Sequence, residues 1–131
     1  MRDLPLGAVH VDPKGRFFLS HVSEGLLAFS PKCTHLGCAV PWKADEPSYD
    51  DPGLGYPPTG RFNCPCNGSL YDRYGQIIQG PAPRPLDTYP VRVEGERVYV
   101  DLNPYSLAIR ESGDRGQPVW VGPTATDLKA G

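Results

Sequence analysis

At 131 residues and 39% apolar content, the chain suits one domain with a modest core. Its 15 acidic and 13 basic residues nearly balance, and no block of one sign occurs, so nothing in its charge points to nucleic acid as a partner. No stretch reaches the roughly 18 apolar residues of a membrane helix. The first seven residues lack the apolar core of a signal peptide. The start therefore reads either as that of a soluble subunit or as a boundary beyond which an anchor was removed.

The 15 glycines and 16 prolines predict short strands and many turns. Apolar alternation is the main signal along the chain. Segments 8–11, 16–20 and 26–29 read as strands, punctuated by Asp12-Pro13-Lys14-Gly15 and Ser23-Glu24-Gly25. Segment 45–59, rich in Pro, Gly and Asp, reads as a surface insertion. Its acidic residues Asp45, Glu46, Asp50 and Asp51 read as a solvated face. Short strands are expected at 61–64, 69–71 and 76–78. Segments 89–93 and 97–101 flank Glu94-Gly95-Glu96 as a hairpin, and 103–131 reads as an irregular tail with Trp120 and Val121 as anchors. No segment sustains a 3.6-residue period. The fold class is all-β, loop-rich, with small packed antiparallel sheets.

All four cysteines lie in two stretches, Cys33-Thr34-His35-Leu36-Gly37-Cys38 and Cys64-Pro65-Cys66-Asn67-Gly68-Ser69-Leu70-Tyr71. Thiolates are the soft ligands that iron–sulfur clusters need, and imidazole also suits iron. Four thiolates would also suit zinc, but Cys-x-Cys is not the usual zinc spacing and leaves His35, Ser69 and Tyr71 without a role. His10 and His21 read as strand residues, and Trp42 and Trp120 as packing residues.

The two stretches resemble the cluster-binding loops of Rieske iron–sulfur proteins across about residues 15–101, with one departure. The family's second loop reads Cys-Pro-Cys-His-Gly-Ser, and Asn67 stands where the histidine should be. The resemblance implies a [2Fe-2S] cluster in a subdomain over about 31–84. Cys33 and Cys64 would hold one iron, and His35 and position 67 the other. It further implies a Cys38–Cys66 disulfide, as in the quinol-oxidising branch, and hence an oxidising compartment. Ser69 and Tyr71 would donate hydrogen bonds to the cluster, Leu36 would shield it, and Pro81 and Pro83 would belong to a proline loop covering it. At position 67 an amide oxygen ligates, another group fills the site, or the cluster is absent.

The function implied is that of the electron-transfer subunit of a quinol oxidoreductase of the cytochrome bc or b6f type, not an enzyme by itself. Its partners would be a cytochrome b-type subunit, quinol, and a c-type cytochrome or copper protein as acceptor. Its place would be the extracytoplasmic, periplasmic face of an energy-transducing membrane, reached through an anchor or a partner subunit. The alternatives are a Rieske-fold structural subunit with an altered or lost cluster, and a soluble Rieske ferredoxin.

Overall fold

The computed structural model describes residues 4–34, 37–50, 52–66, 68–94, 97–111, 116, 118–119 and 127–130. Among them the fold is all-β, built from eleven strands in three sheets with short 3-10 turns at Pro52–Leu54 and Pro104–Ser106. A middle sheet has the order β1 (Val9–Val11), β2 (Phe18–Val22), β3 (Gly25–Phe29), β8 (Thr88–Tyr89). A second sheet has the order β4 (Trp42–Pro47), β5 (Thr59–Asn63), β6 (Leu70–Tyr71), β7 (Ile77–Gln79) and carries the cysteine loops. A third has the order β11 (Asp127–Ala130), β10 (Arg97–Val100), β9 (Val91–Glu94).

All of β3 is buried, because both faces of the middle sheet are covered. The two-residue period of a strand sorts its side chains. Phe18, Val22, Leu27 and Phe29 join Phe62, Tyr71, Cys33 and Cys64 on the cysteine side. Leu19, Leu26 and Ala28 join Val98 and Val100 of β10 on the other. Phe62 is the hub of the first core: it is fully buried, with ring centroids 5.0 Å from Phe18, 5.8 Å from Phe29 and 4.8 Å from Trp42. Burial of such a ring contributes about 1.5–3 kcal/mol.

Three departures from the sequence reading have physical causes. The first part of the expected insertion is strand: β4 pairs with β5 through Trp42–Phe62 and Lys43–Arg61, and again at Pro47–Thr59 after a bulge. As an edge strand it is mostly exposed and charged and ends at proline, so it shows no apolar alternation. The single strand expected over 89–93 is two. Pro90 has no N–H for a ladder, and the chain changes sheets there, β8 pairing with β3 and β9 with β10. The tail is only partly irregular: β11 runs parallel to β10, Ala108 bridges to Thr88, and Val119 to Leu26. The β9–β10 register places Glu94 opposite Arg97, as the hairpin reading requires. Gly95, Glu96, Trp120 and Val121 lie outside the described residues.

Asp50 corrects the solvated-face reading. Its side chain is only 2% exposed and pairs with an equally buried Arg73 at 2.5 Å. A buried carboxylate is tolerable when a guanidinium neutralises it and hydrogen bonds complete the site. Asp45 is exposed, Glu46 pairs with Arg61 at 3.1 Å, and Asp51 lies outside the described residues.

Candidate metal centre

The two cysteine stretches form loops of the same backbone design. In the first, the Cys33 N–H donates to Cys38 O at 2.8 Å and the Gly37 N–H to Cys33 O at 2.9 Å. In the second, the Cys64 N–H donates to Ser69 O at 2.8 Å and the Gly68 N–H to Cys64 O at 2.9 Å. Antiparallel pairs close both loops at the base, Lys32 with Ala39 and Asn63 with Leu70. Gly37 and Gly68 both take φ +77°, a left-handed turn that a side chain would strain. The design puts Cys33 and Cys64 at equivalent corners, 3% and 2% exposed.

Cys38 and Cys66 are joined in a disulfide with a Cα–Cα separation of 6.4 Å. The link ties one loop to the other. It also rules out the zinc reading, since two of the four sulfurs are not available as thiolates. Cys33 and Cys64 stay outside any disulfide.

Tyr71 rises from β6, opposite Phe62 of β5, with its hydroxyl 3.3 Å from Cys33 Sγ. The same oxygen is 3.4 Å from the Thr34 N–H, which donates to it, and 3.4 Å from Thr34 Oγ1. Burial first, and then the neighbouring Cys33 sulfur, push the phenol well above its ordinary range. It therefore stays protonated, able to donate to a thiolate at position 33.

Both loops are also tied to segment 80–86. Thr34 Oγ1 donates to Arg84 O at 2.6 Å, and the Ala82 N–H donates to Ser69 Oγ at 3.1 Å. The approach is close: a Cβ on Gly80, whose φ is +108°, would stand 2.4 Å from Ser69 Cα. Pro81 and Pro83 are exposed on this segment, whereas Ala82, Pro85 and Leu86 are buried. Sequence reasoning missed Thr34 and Ala82. Thr34's position between Cys33 and His35 was an available signal, but Ala82 acts through its backbone and leaves none.

His35, Leu36 and Asn67 lie outside the described residues. Among the described residues, no three His, Cys, Asp or Glu side chains converge as a metal site. His10 is half-buried beside Phe17, and His21 Nδ1 lies 2.7 Å from Leu4 O. The donors that are described fit an iron–sulfur cluster: two buried thiols on matched loops, with a protonated phenol against one of them.

Comparison with known proteins agrees. Residues 3–90 match the Rieske [2Fe-2S] domain family. The chain is 39% identical over 110 residues to the cytochrome b6-f complex iron-sulfur subunit of Synechococcus elongatus, covering 84% of this chain and 52% of that protein. It is 35% identical over 88 residues to cytochrome b6-f complex iron-sulfur subunit 1 of Trichormus variabilis, covering 67% of this chain and 40% of that protein. The chain thus spans about half the length, or less, of these relatives. Among solved structures, the cyanobacterial plasma membrane Rieske protein from Synechocystis aligns at 28% identity and a TM-score of 0.43, covering 78% of this chain and 83% of that one.

Proposed function

This chain belongs to the Rieske [2Fe-2S] domain family, and from that premise we propose that it is the electron-carrying domain of a quinol-oxidising complex of the cytochrome b6f or bc kind. The observation that carries the reading is the Cys38–Cys66 disulfide linking the two cysteine loops. By resemblance, that pair separates the quinol-oxidising branch from the soluble ferredoxins. The b6-f iron-sulfur subunits among its relatives support the same branch.

When bound, a [2Fe-2S] cluster supplies one-electron chemistry. Cys33 and Cys64 would hold one iron, and His35 the other, with position 67 as its second ligand site. With Cys33 as a thiolate ligand, the Tyr71 hydroxyl 3.3 Å from its sulfur would donate a hydrogen bond to it, which would stabilise added negative charge there and raise the potential. Ser69 and Thr34 hold segment 80–86 against the two loops. Of the two residues at these positions, His35 carries a titratable imidazole and Asn67 an amide that does not titrate. With a cluster bound, electron uptake would therefore be coupled to one histidine proton.

The partners of this reading are a cytochrome b-type subunit, quinol as donor, and a c-type cytochrome or copper protein as acceptor. Its place is the extracytoplasmic face of an energy-transducing membrane. Among the described residues no helix is long and apolar enough to cross that membrane. Membrane contact is then made by a partner subunit or by chain beyond the described residues.

Iron and acid-labile sulfide content, with EPR of the dithionite-reduced protein, tests the reading. The expected result is two irons and two sulfides per chain with a Rieske-type spectrum. Metal-free protein with both loops ordered would instead establish the structural-subunit reading, for which Asn67 is the observation. The midpoint potential should show one histidine-like ionisation with pH, and finding two would overturn the role given to Asn67.

A further inference from the structure

The segment joining β4 to β5 does more than cover the surface. Its Asp50 meets the Arg73 guanidinium, whose partners come from several parts of the chain. Arg73 Nη1 donates to Asp50 Oδ2 at 2.5 Å and to Ser48 Oγ at 3.3 Å. Nη2 donates to Thr59 O at 2.6 Å, and Nε to Gly7 O at 2.5 Å. The ring centroids of Trp42 and Tyr56 lie 5.3 and 5.7 Å from its central carbon, within cation–π range. Ser48 also donates to Asp50 Oδ2 at 2.7 Å and fixes the carboxylate.

The backbone of the same arginine is held just as closely. The Arg73 N–H donates to Asp50 Oδ1 at 2.9 Å, and Ser20 Oγ of the middle sheet donates to Arg73 O at 2.7 Å. The turn that follows carries Gly75, whose carbonyl accepts the Leu86 N–H at 2.9 Å, at the end of the segment that covers the cysteine loops. Tyr71 precedes Arg73 by two residues and contacts Cys33. One carboxylate thus holds both the side chain and the backbone of Arg73, two residues after Tyr71 and two before Gly75.

We propose that Asp50 and Arg73 are positioning residues for the metal centre: the β4–β5 segment fixes the turn after β6, and through it the Tyr71 hydroxyl against Cys33. The inference rests on the cluster reading above. An arginine serves here because its planar fork reaches three separate segments at once between two aromatic rings, whereas a lysine ammonium puts its three donors on one nitrogen and has no planar face to stack. The pair contributes no ligand and touches no electron-transfer partner in this scheme. Its effect travels through geometry.

The experiment is a double-mutant cycle on the whole cluster-bearing chain with Asp50→Asn and Tyr71→Phe. Midpoint potential and EPR g-values are read beside thermal stability. Tyr71→Phe removes the donor and lowers the potential. Asp50→Asn should lower it in the same direction, and the double variant should fall no further than Tyr71→Phe alone. If Asp50→Asn lowers stability but leaves the potential and g-values at wild-type values, the pair is structural only and the proposal is overturned. Full additivity of the two potential shifts overturns it as well. Should Asp50→Asn fail to fold, Ser48→Ala, which loosens the carboxylate without removing it, carries the same cycle. Wild-type protein lacking iron and sulfide would sink the cluster reading instead. The cycle is then read on the metal-free chain as the alkylation rate of Cys33, where Asp50→Asn and Tyr71→Phe should change the rate by the same factor without adding. Independent factors there overturn the proposal.

Discussion

The two cysteine loops share their closing hydrogen bonds and their left-handed glycine and differ at four of six aligned residues. Cys33 and Cys64 occupy the same corner, closed by the same pair of hydrogen bonds and the same left-handed glycine. At the last corner the first loop has Cys38, which enters the disulfide, and the second has Ser69, which accepts the Ala82 N–H. After the first corner one has Thr34, bonded to Arg84 O, and the other Pro65. The difference shows how the labour is divided. The backbone frame fixes where the thiols stand, and the variable corners fix what holds the loops together and what covers them.

Removing the tie between the loops should have the largest effect. Replacing Cys38 and Cys66 together with alanine should lower stability by about 3–4 kcal/mol, for the loop of 28 residues the disulfide closes. Urea unfolding of oxidised protein and of the double variant measures it. A loss below about 1 kcal/mol would mean that segment 80–86 alone holds the loops in register.

Next come the two glycines, which test whether the frames are equivalent. Gly37→Ala and Gly68→Ala should each cost about 1–2 kcal/mol, because φ +77° strains any residue with a Cβ. Nothing described lies within 4 Å of a Cβ at either position, so the cost is conformational and should be similar for both. Unequal midpoints in parallel urea titrations would show that one frame is held more tightly than the other.

The hydroxyls sharpen the contrast in what covers each loop. Thr34→Val and Ser69→Ala should each cost about 1–2 kcal/mol, since each leaves a buried or half-buried backbone group of segment 80–86 without its partner. Hydrogen exchange should quicken at the Ala82 amide in Ser69→Ala and remain slow there in Thr34→Val. Exchange that quickens equally in both would mean that segment 80–86 opens as a unit.

The smallest effect is expected away from both loops. Asp12, buried in the β1–β2 turn, accepts hydrogen bonds from the Arg16 side chain at 2.7 and 3.1 Å, and these hold its carboxyl below the usual range. A depressed carboxyl contributes stability above its unfolded pKa and loses it as pH falls through the folded value. Wild-type protein should therefore lose more thermal stability than Asp12→Asn as pH falls from 5 through the acidic carboxylate range, about pH 4 and below. Identical acid profiles would place the acid-labile groups elsewhere, including at the loops.

The sequence showed most clearly what repeats or alternates. The middle strands announced themselves by apolar runs, and the cysteine stretches by composition. The strand Trp42–Pro47 was hidden because an edge strand needs only backbone partners and shows charge to water. The burial of Asp50 was hidden for a related reason: a carboxylate looks solvated until its guanidinium is found 23 residues further on. Thr34 and Ala82 act through hydrogen bonds to backbone, which leave little trace in residue type. The break at Pro90 went unread, although proline inside an expected strand argues against one continuous ladder.

The doubly covered strand β3 gives each of its positions an address. Leu27 and Phe29 belong to the cysteine side and Leu26 and Ala28 to the outer sheet, although they are chain neighbours. A library randomised over these four codons should separate into two phenotypes by the parity of the altered residue. One parity would weaken the colour and redox signature of the protein, and the other its resistance to heat and proteolysis. Compensating changes should arise on the same side of the strand as the lesion they repair, so a genetic screen could map the two interiors of this small protein without any coordinates.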